Sequence, residues 1–423
     1  MLKTLRNAMK VPDIRKKLFI TFALLAVYRA GIFILVPGIN KDAMAKYVGQ
    51  GMLFGFLDLI SGGGFKNFSI FALGIGPYIN SSIIFSLLTV AIPKLEALSK
   101  EGEEGRKKIA EYTRYATVVL AIIEAFSISM NIRYNGVLTN DSWFWVFIIV
   151  LTLTAGSTFV MWLSEKITEF GIGNGASLII FTGILSRLPS MGNSIAVMAK
   201  GGSVNAIDII LLILFALVLI AGVVTMDLAE RRIPVQYAQR RVGTKSFGSQ
   251  SSNIPINLNS AGVIGIIFAL SVMQFPLLIT QFFAPNSKAR VALESGWLSP
   301  KKPLYSIIYI LLILFFTWFY TSITFKPDEV ADNLQKSGGF VPGIRPGKPT
   351  EEYITKILNR MTFVGGIFAA IIAVIPIAIE QLTPFQNLYL GGTSILIAVG
   401  VALEFDKQIE AQLVMRHYEG FLK

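Results

Sequence analysis

The 423-residue chain has no cysteine and a single histidine, His417. Disulfides, thiolate chemistry and clustered Cys/His metal sites are thereby excluded. A serine–histidine–carboxylate relay would have to use a histidine in the C-terminal tail, far from any apolar framework. Charge is scarce too: 15% of residues are Asp, Glu, Lys or Arg, against 53% hydrophobic and a mean hydropathy of +0.62. Soluble domains average about 25% charged residues. The polar residues here are too few to cover a soluble surface, so most of the chain must face lipid. Nucleotide-binding loops are missing as well. The glycine-rich stretches GIGNG (171–175) and GGG (62–64) lack the lysine and the strand–helix setting that a phosphate loop needs. No cofactor is expected, and any work must draw on an ion gradient or an external motor.

What the sequence does have is long apolar runs. A helix needs about 20 such residues to cross the hydrocarbon core. Ten runs qualify, near 18–36, 69–91, 112–131, 143–163, 176–188, 206–226, 260–283, 304–325, 362–379 and 389–405. They predict an all-α polytopic membrane protein with ten transmembrane helices. The first run carries Arg29 and no small-residue cleavage site follows it, so it is expected to remain in the mature protein. Lys and Arg crowd alternate connections: Lys3, Arg6, Lys10, Arg15, Lys16 and Lys17 lead, then Lys94, Lys100, Arg106, Lys107, Lys108 and Arg114. Basic connections stay on the cytoplasmic side, so both termini are expected there. The spans divide five and five, into 1–200 and 201–423. An odd number per half makes any structural repeat inverted.

Several features exceed a plain bundle. Residues 51–64 read GMLFGFLDLISGGG. Phe54, Phe56, Leu57, Leu59 and Ile60 make an apolar stretch too short to span, and Gly62, Gly63 and Gly64 follow it. The segment reads either as an interfacial helix or as a re-entrant, plug-like element. The connection 227–259 is long and basic, with pairs Arg231/Arg232 and Arg240/Arg241; the connection 326–361 contains GGFVPGIRPG around Arg345. Pro342 and Pro346 restrict the backbone there and Gly343 and Gly347 permit tight turns. Such a loop can hold one arginine out for phosphate or carboxylate, or simply set topology. Ionisable residues inside the spans are few; of these, Arg29 sits mid-span in the first and Glu124 lies inside the third. These two either pair with each other, or Arg29 bonds backbone carbonyls. Isoleucines recur at Ile79, Ile83, Ile180 and Ile184, with Ile267 and Ile397 in later spans. Taken alone, this is ordinary packing; ringed about an aqueous path, it would be a dewetted constriction.

The motifs YRAGIFILVPGI (28–39), SIFALGIGPYINSSIIFSLLT (69–89), EGEEGRKKIAEYTRY (101–115), GIGNGASLIIFTGI (171–184), GGFVPGIRPG (338–347) and LYLGGTSILI (388–397) resemble the SecY family, in order and over essentially the whole chain. The resemblance implies a protein-conducting channel of SecY-type fold, a passive pore and not an enzyme, with two five-span halves around an hourglass. Residues 52–64 correspond to the plug. Ile79, Ile83, Ile180, Ile184, Ile267 and Ile397 fall on the pore ring. Spans two, three, seven and eight correspond to a lateral gate. The implied setting is the bacterial plasma membrane. Implied partners are SecE and SecG subunits, the SecA ATPase or the ribosome docking at Arg231, Arg232, Arg240, Arg241 and Arg345, signal peptides, nascent polypeptides and lipids. Ribosomal RNA is a polyanion, which suits basic loops. Three residues depart from the family pattern: Gly265 where proline is common, Asn253 where histidine is usual, and Glu124 where a neutral polar residue is the rule. The rival reading, an inverted-repeat secondary transporter with a broken helix near 62–64, expects ionisable coupling sites at mid-membrane.

Overall fold

In lipid a spanning segment must satisfy its own backbone polar groups, which favours helices. The computed structural model describes residues 2–40, 44, 58, 61–202, 204–237, 241–242, 245–246, 251–259, 261–283, 287–294, 296, 299, 302–382 and 392–421, and it is mainly helical. Helix α1 (Leu2–Ala8) leads into α2 (Pro12–Gly31). Helices α3 (Gly76–Ala91), α4 (Pro93–Lys100), α5 (Glu103–Tyr134), α6 (Trp143–Phe170), α7 (Gly175–Lys200) and α8 (Ala206–Leu228) follow. Then come β1 (Glu230–Tyr237), β2 (Arg241–Val242), β3 (Lys245–Ser246) and β4 (Ser251–Asn257). Helices α9 (Ile264–Thr280), α10 (Lys288–Glu294), α11 (Pro303–Thr324) and α12 (Pro327–Lys336) precede β5 (Gly339–Phe340), α13 (Lys348–Leu382) and α14 (Gly392–Phe421).

Among the described residues, five helical stretches are long and apolar enough to cross a membrane, or six if α3 and α4 form one bent span. The outer surface agrees. On α8, Ile207, Ile210, Leu214, Leu217 and Val218 are all more than half exposed. A contiguous apolar face of this kind belongs against lipid or an apolar partner.

Three elements differ from the sequence expectation. The second run does not start its helix at Ser69: residues 69–75 turn, with Phe68 and Gly74 at positive φ, and Pro77 sits in the first turn of α3. Its far end falls at Ala91, where the run is expected to stop. Extended Ile92 precedes Pro93, and α4 leaves at 100° to α3. Proline disfavours a helical residue before it and lacks the N–H to continue the ladder. The fifth run, by contrast, continues through Pro189 to Lys200. Ser190 Oγ donates to the Arg187 carbonyl at 2.8 Å in that turn. Finally, most of the 326–361 connection is helix: α12 and the start of α13 leave only the turn around Arg345.

The main core joins Tyr28 and Ile32 of the first half to Ile267, Ile313, Ala373 and Ile397 of the second. Outside it, β4, β1 and β5 form an antiparallel sheet in that order. Alternation along β1 buries Ile233 and Val235 against Leu334 of α12 and Ile354 and Leu358 of α13, as the period of two demands.

Candidate functional site

Two cavities lie on either side of a layer of isoleucines. The larger, about 590 Å³, is lined by Ser82, Ser86, Arg114, Ser164, Thr168 and Ser177, and it opens on the side of the basic connections. The smaller, about 30 Å³, is lined on the far side by Leu73, Gly76, Gln274 and Leu278. It has room for about one water. Ile79 of α3, Ile180 of α7 and Ile267 of α9 line both, so three helices supply an apolar waist between them. Ile397 of α14 lines the smaller cavity. Ile83 and Ile184 are buried in the same apolar cluster but line neither cavity. In the larger cavity, Arg114 and Glu165 join α5 to α6 with a 2.7 Å ion pair.

On the far side, Asp58 and residues 61–66 are pinned by directional bonds. The Asp58 carboxylate, 2% exposed, takes an ion pair from Arg187 of α7 at 3.1 Å and a hydrogen bond from the Lys66 backbone at 2.6 Å. Arg29 of α2 donates through Nη1 to the Gly62 carbonyl at 2.8 Å and to Ser186 Oγ at 2.9 Å. Tyr28 donates to the Ser61 carbonyl at 3.2 Å. Gly62 has φ +62°, and a Cβ there would lie 2.6 Å from the Gly183 Cα of α7. Only glycine permits that approach in that conformation. Gly63 donates to the Asp58 carbonyl and Gly64 to the Ser61 carbonyl. Phe54, Phe56, Leu57, Leu59 and Ile60 lie outside the described residues.

Arg29 and Glu124 therefore do not meet. Arg29 bonds a backbone carbonyl and a hydroxyl, while Glu124 accepts from Asn80 Nδ2 of α3 at 2.9 Å. Residues that sequence reasoning passed over lie near Glu124. Ser127 Oγ donates to the Leu278 carbonyl at 3.0 Å, and Asn131 Nδ2 donates to Gln281 Oε1. The first bond crosses from α5 to α9, and the second reaches the residue that caps the C-terminal end of α9. The missed signal was a polar stripe at i, i+3 and i+7 through an apolar helix. Gly265 has its own packing reason: a Cβ there would come within 3.0 Å of Thr317 Oγ1 on α11.

On the basic side, Arg231 and Arg232 of β1 are exposed, and Arg232 pairs with Glu230 at 2.6 Å. Arg241 lies in β2, and Arg240 lies outside the described residues. Arg345 is exposed at its turn, with Gly343 and Gly347 at positive φ and its carbonyl bonded by Thr350 at 2.8 Å.

A multi-pass helical membrane protein with two cavities facing each other across an apolar waist has the form of a channel. The SecY family model matches residues 69–405. A protein translocase subunit SecY from Halalkalibacterium halodurans is 45% identical over 436 aligned residues, covering 100% of both chains. Two solved structures share the fold. One is a SecY channel whose plug domain stabilises the closed state (TM-score 0.67, 18% identity, 95% of this chain and 92% of that one). The other is Sec61 in the canine ribosome–channel complex from the endoplasmic reticulum (TM-score 0.60, 18% identity, 95% and 93%). The chain belongs to the SecY family.

Proposed function

We propose that this chain is the protein-conducting channel of a Sec-type translocase in a bacterial plasma membrane, with both termini cytoplasmic. Ten spans would form two inverted five-helix halves, 1–200 and 201–423. A polypeptide enters the larger cavity from the basic side and threads a ring of Ile79, Ile83, Ile180, Ile184, Ile267 and Ile397. The plug, within 52–64, leaves the far side. Apolar segments exit to lipid between α3 and α5 on one side and α9 and α11 on the other. Aliphatic side chains suit this task because they seal around a moving chain without offering it a fixed polar partner. The pore is passive, and SecA or the ribosome drives it from the surface carrying Arg231, Arg232, Arg240, Arg241 and Arg345. SecE and SecG complete the assembly. Signal peptides and nascent chains are its cargo.

The observation that carries this reading is the pair of cavities meeting at Ile79, Ile180 and Ile267. The transporter reading fares worse, since Arg29 and Glu124 are engaged separately and form no joint mid-membrane site. Photocrosslinkers at Ile83, Ile180 or Ile184 should capture a stalled secretory precursor. Crosslinks to lipid alone at all three positions would overturn the pore assignment.

A further inference from the structure

Two polar stripes face each other along the seam between α5 and α9. Glu124, Ser127 and Asn131 lie on one face of α5; Ser271 and Gln274 lie on one face of α9, and Gln281 caps its C-terminal end. Ser127 and Asn131 spend their donors across the seam, on the Leu278 carbonyl and on Gln281. Glu124 breaks this pattern. It is 7% exposed, and its hydrogen bond from Asn80 comes from α3, on its own side of the seam. An ionised carboxylate offers about four acceptor positions, and this one lines the 30 Å³ cavity together with Ser271 and Gln274. No Lys, Arg or His lines that cavity. A buried carboxylate without a cation is costly and strongly favours gaining one.

Resting on the channel reading, the geometry points to Glu124 as a specificity-determining residue of the seam. It accepts the basic side chain that an otherwise apolar segment carries at mid-depth when that segment parts α5 from α9. The cavity supplies an entry point, and the unused acceptor positions face the seam that a guest helix must open. A Lys or Arg on the guest would replace the missing counter-charge, whereas a guest carboxylate would be repelled. A uniformly apolar guest would gain nothing from Glu124.

The test uses the full chain with its partner subunits in sealed membrane vesicles. Model apolar segments carry one central Lys, Gln or Glu, or none, and protease protection reads membrane integration against full translocation. A charge-assisted hydrogen bond is worth enough to predict that Glu124→Gln lowers integration of the Lys segment about tenfold. The all-apolar segment should stay within about twofold. Glu124→Asp, which keeps the charge, should restore part of the Lys preference, and shifting the Lys toward a segment end should abolish the effect. Equal change for all four segments, or no change for any, would overturn the assignment and leave the Asn80 bond as a plain staple between α3 and α5. Pore crosslinks at Ile180 that persist beside a charge-blind result would count against Glu124 alone. Their absence in the unsubstituted chain would count against the channel reading and the assignment together.

Discussion

The apolar waist and the pinned stretch of Asp58 with residues 61–66 are held together by opposite chemistries, and on the proposed path they lie in series. Ile79, Ile180 and Ile267 meet through apolar contact alone, which is non-directional and scales with the area removed from water. Such a closure can deform around an object and re-form behind it. Asp58 and residues 61–66 are instead held by one ion pair and several hydrogen bonds, each with a narrow geometric optimum. This stretch is either docked or released. If the two lie on the path as proposed, one grades the opening while the other switches it, and the two should respond to substitution in different ways.

The sharpest way to break this contrast is Arg187→Ala. It strands the Asp58 carboxylate, 2% exposed, and removing one partner of a buried pair costs about 3–5 kcal/mol. Resting ion conductance of the assembled channel in a planar bilayer should rise about a hundredfold or more. Next in size is Gly62→Ala, whose new Cβ collides with Gly183 at a positive φ. The conformational part alone costs about 1–2 kcal/mol, so leak should rise about tenfold. At the waist, Ile180→Leu conserves volume and should cost under about 1.5 kcal/mol, leaving leak and precursor transport near their starting values. A large leak from that change, with none from Arg187→Ala, would invert the comparison.

The smallest effect is expected outside the membrane, at the exposed Lys100–Glu96 pair of α4. Lys100 holds the Glu96 carboxyl below its ordinary value, by its hydrogen bond first and its charge second. Any contribution is present above the ordinary glutamate pKa and is lost as pH falls through the lowered one. Both groups are fully solvent-exposed, so the thermal midpoint of Lys100→Gln should match that of the unsubstituted protein near neutral pH.

Apolar runs made the helical, membrane-crossing character of the chain legible, because hydropathy reports burial in lipid directly. Their ends were less so. Proline ends α3 after Ala91, where the run is expected to stop, yet α7 runs through Pro189 to Lys200, past the expected end at 188. The choice left open for Arg29 was resolved by Gly62, a backbone carbonyl that no composition rule singles out. Asp58 falls inside the short apolar segment 51–64, and its partner Arg187 inside the run 176–188. Two charges far apart in sequence show no pattern until the fold brings them together. Ser127 and Asn131 were visible in principle as a helical polar stripe, but their partners Leu278 and Gln281 were not.

The strand pairing of Gln236 with Phe340 and Tyr237 with Gly339 has a mechanical consequence. It clips the segment carrying Arg231 and Arg232 to the segment carrying Arg345. A push on either is shared by both, and it travels down β1 into α8, down β4 toward α9, and through the turn into α13. The sheet acts as a yoke: one load applied outside the membrane pulls on three helices at once.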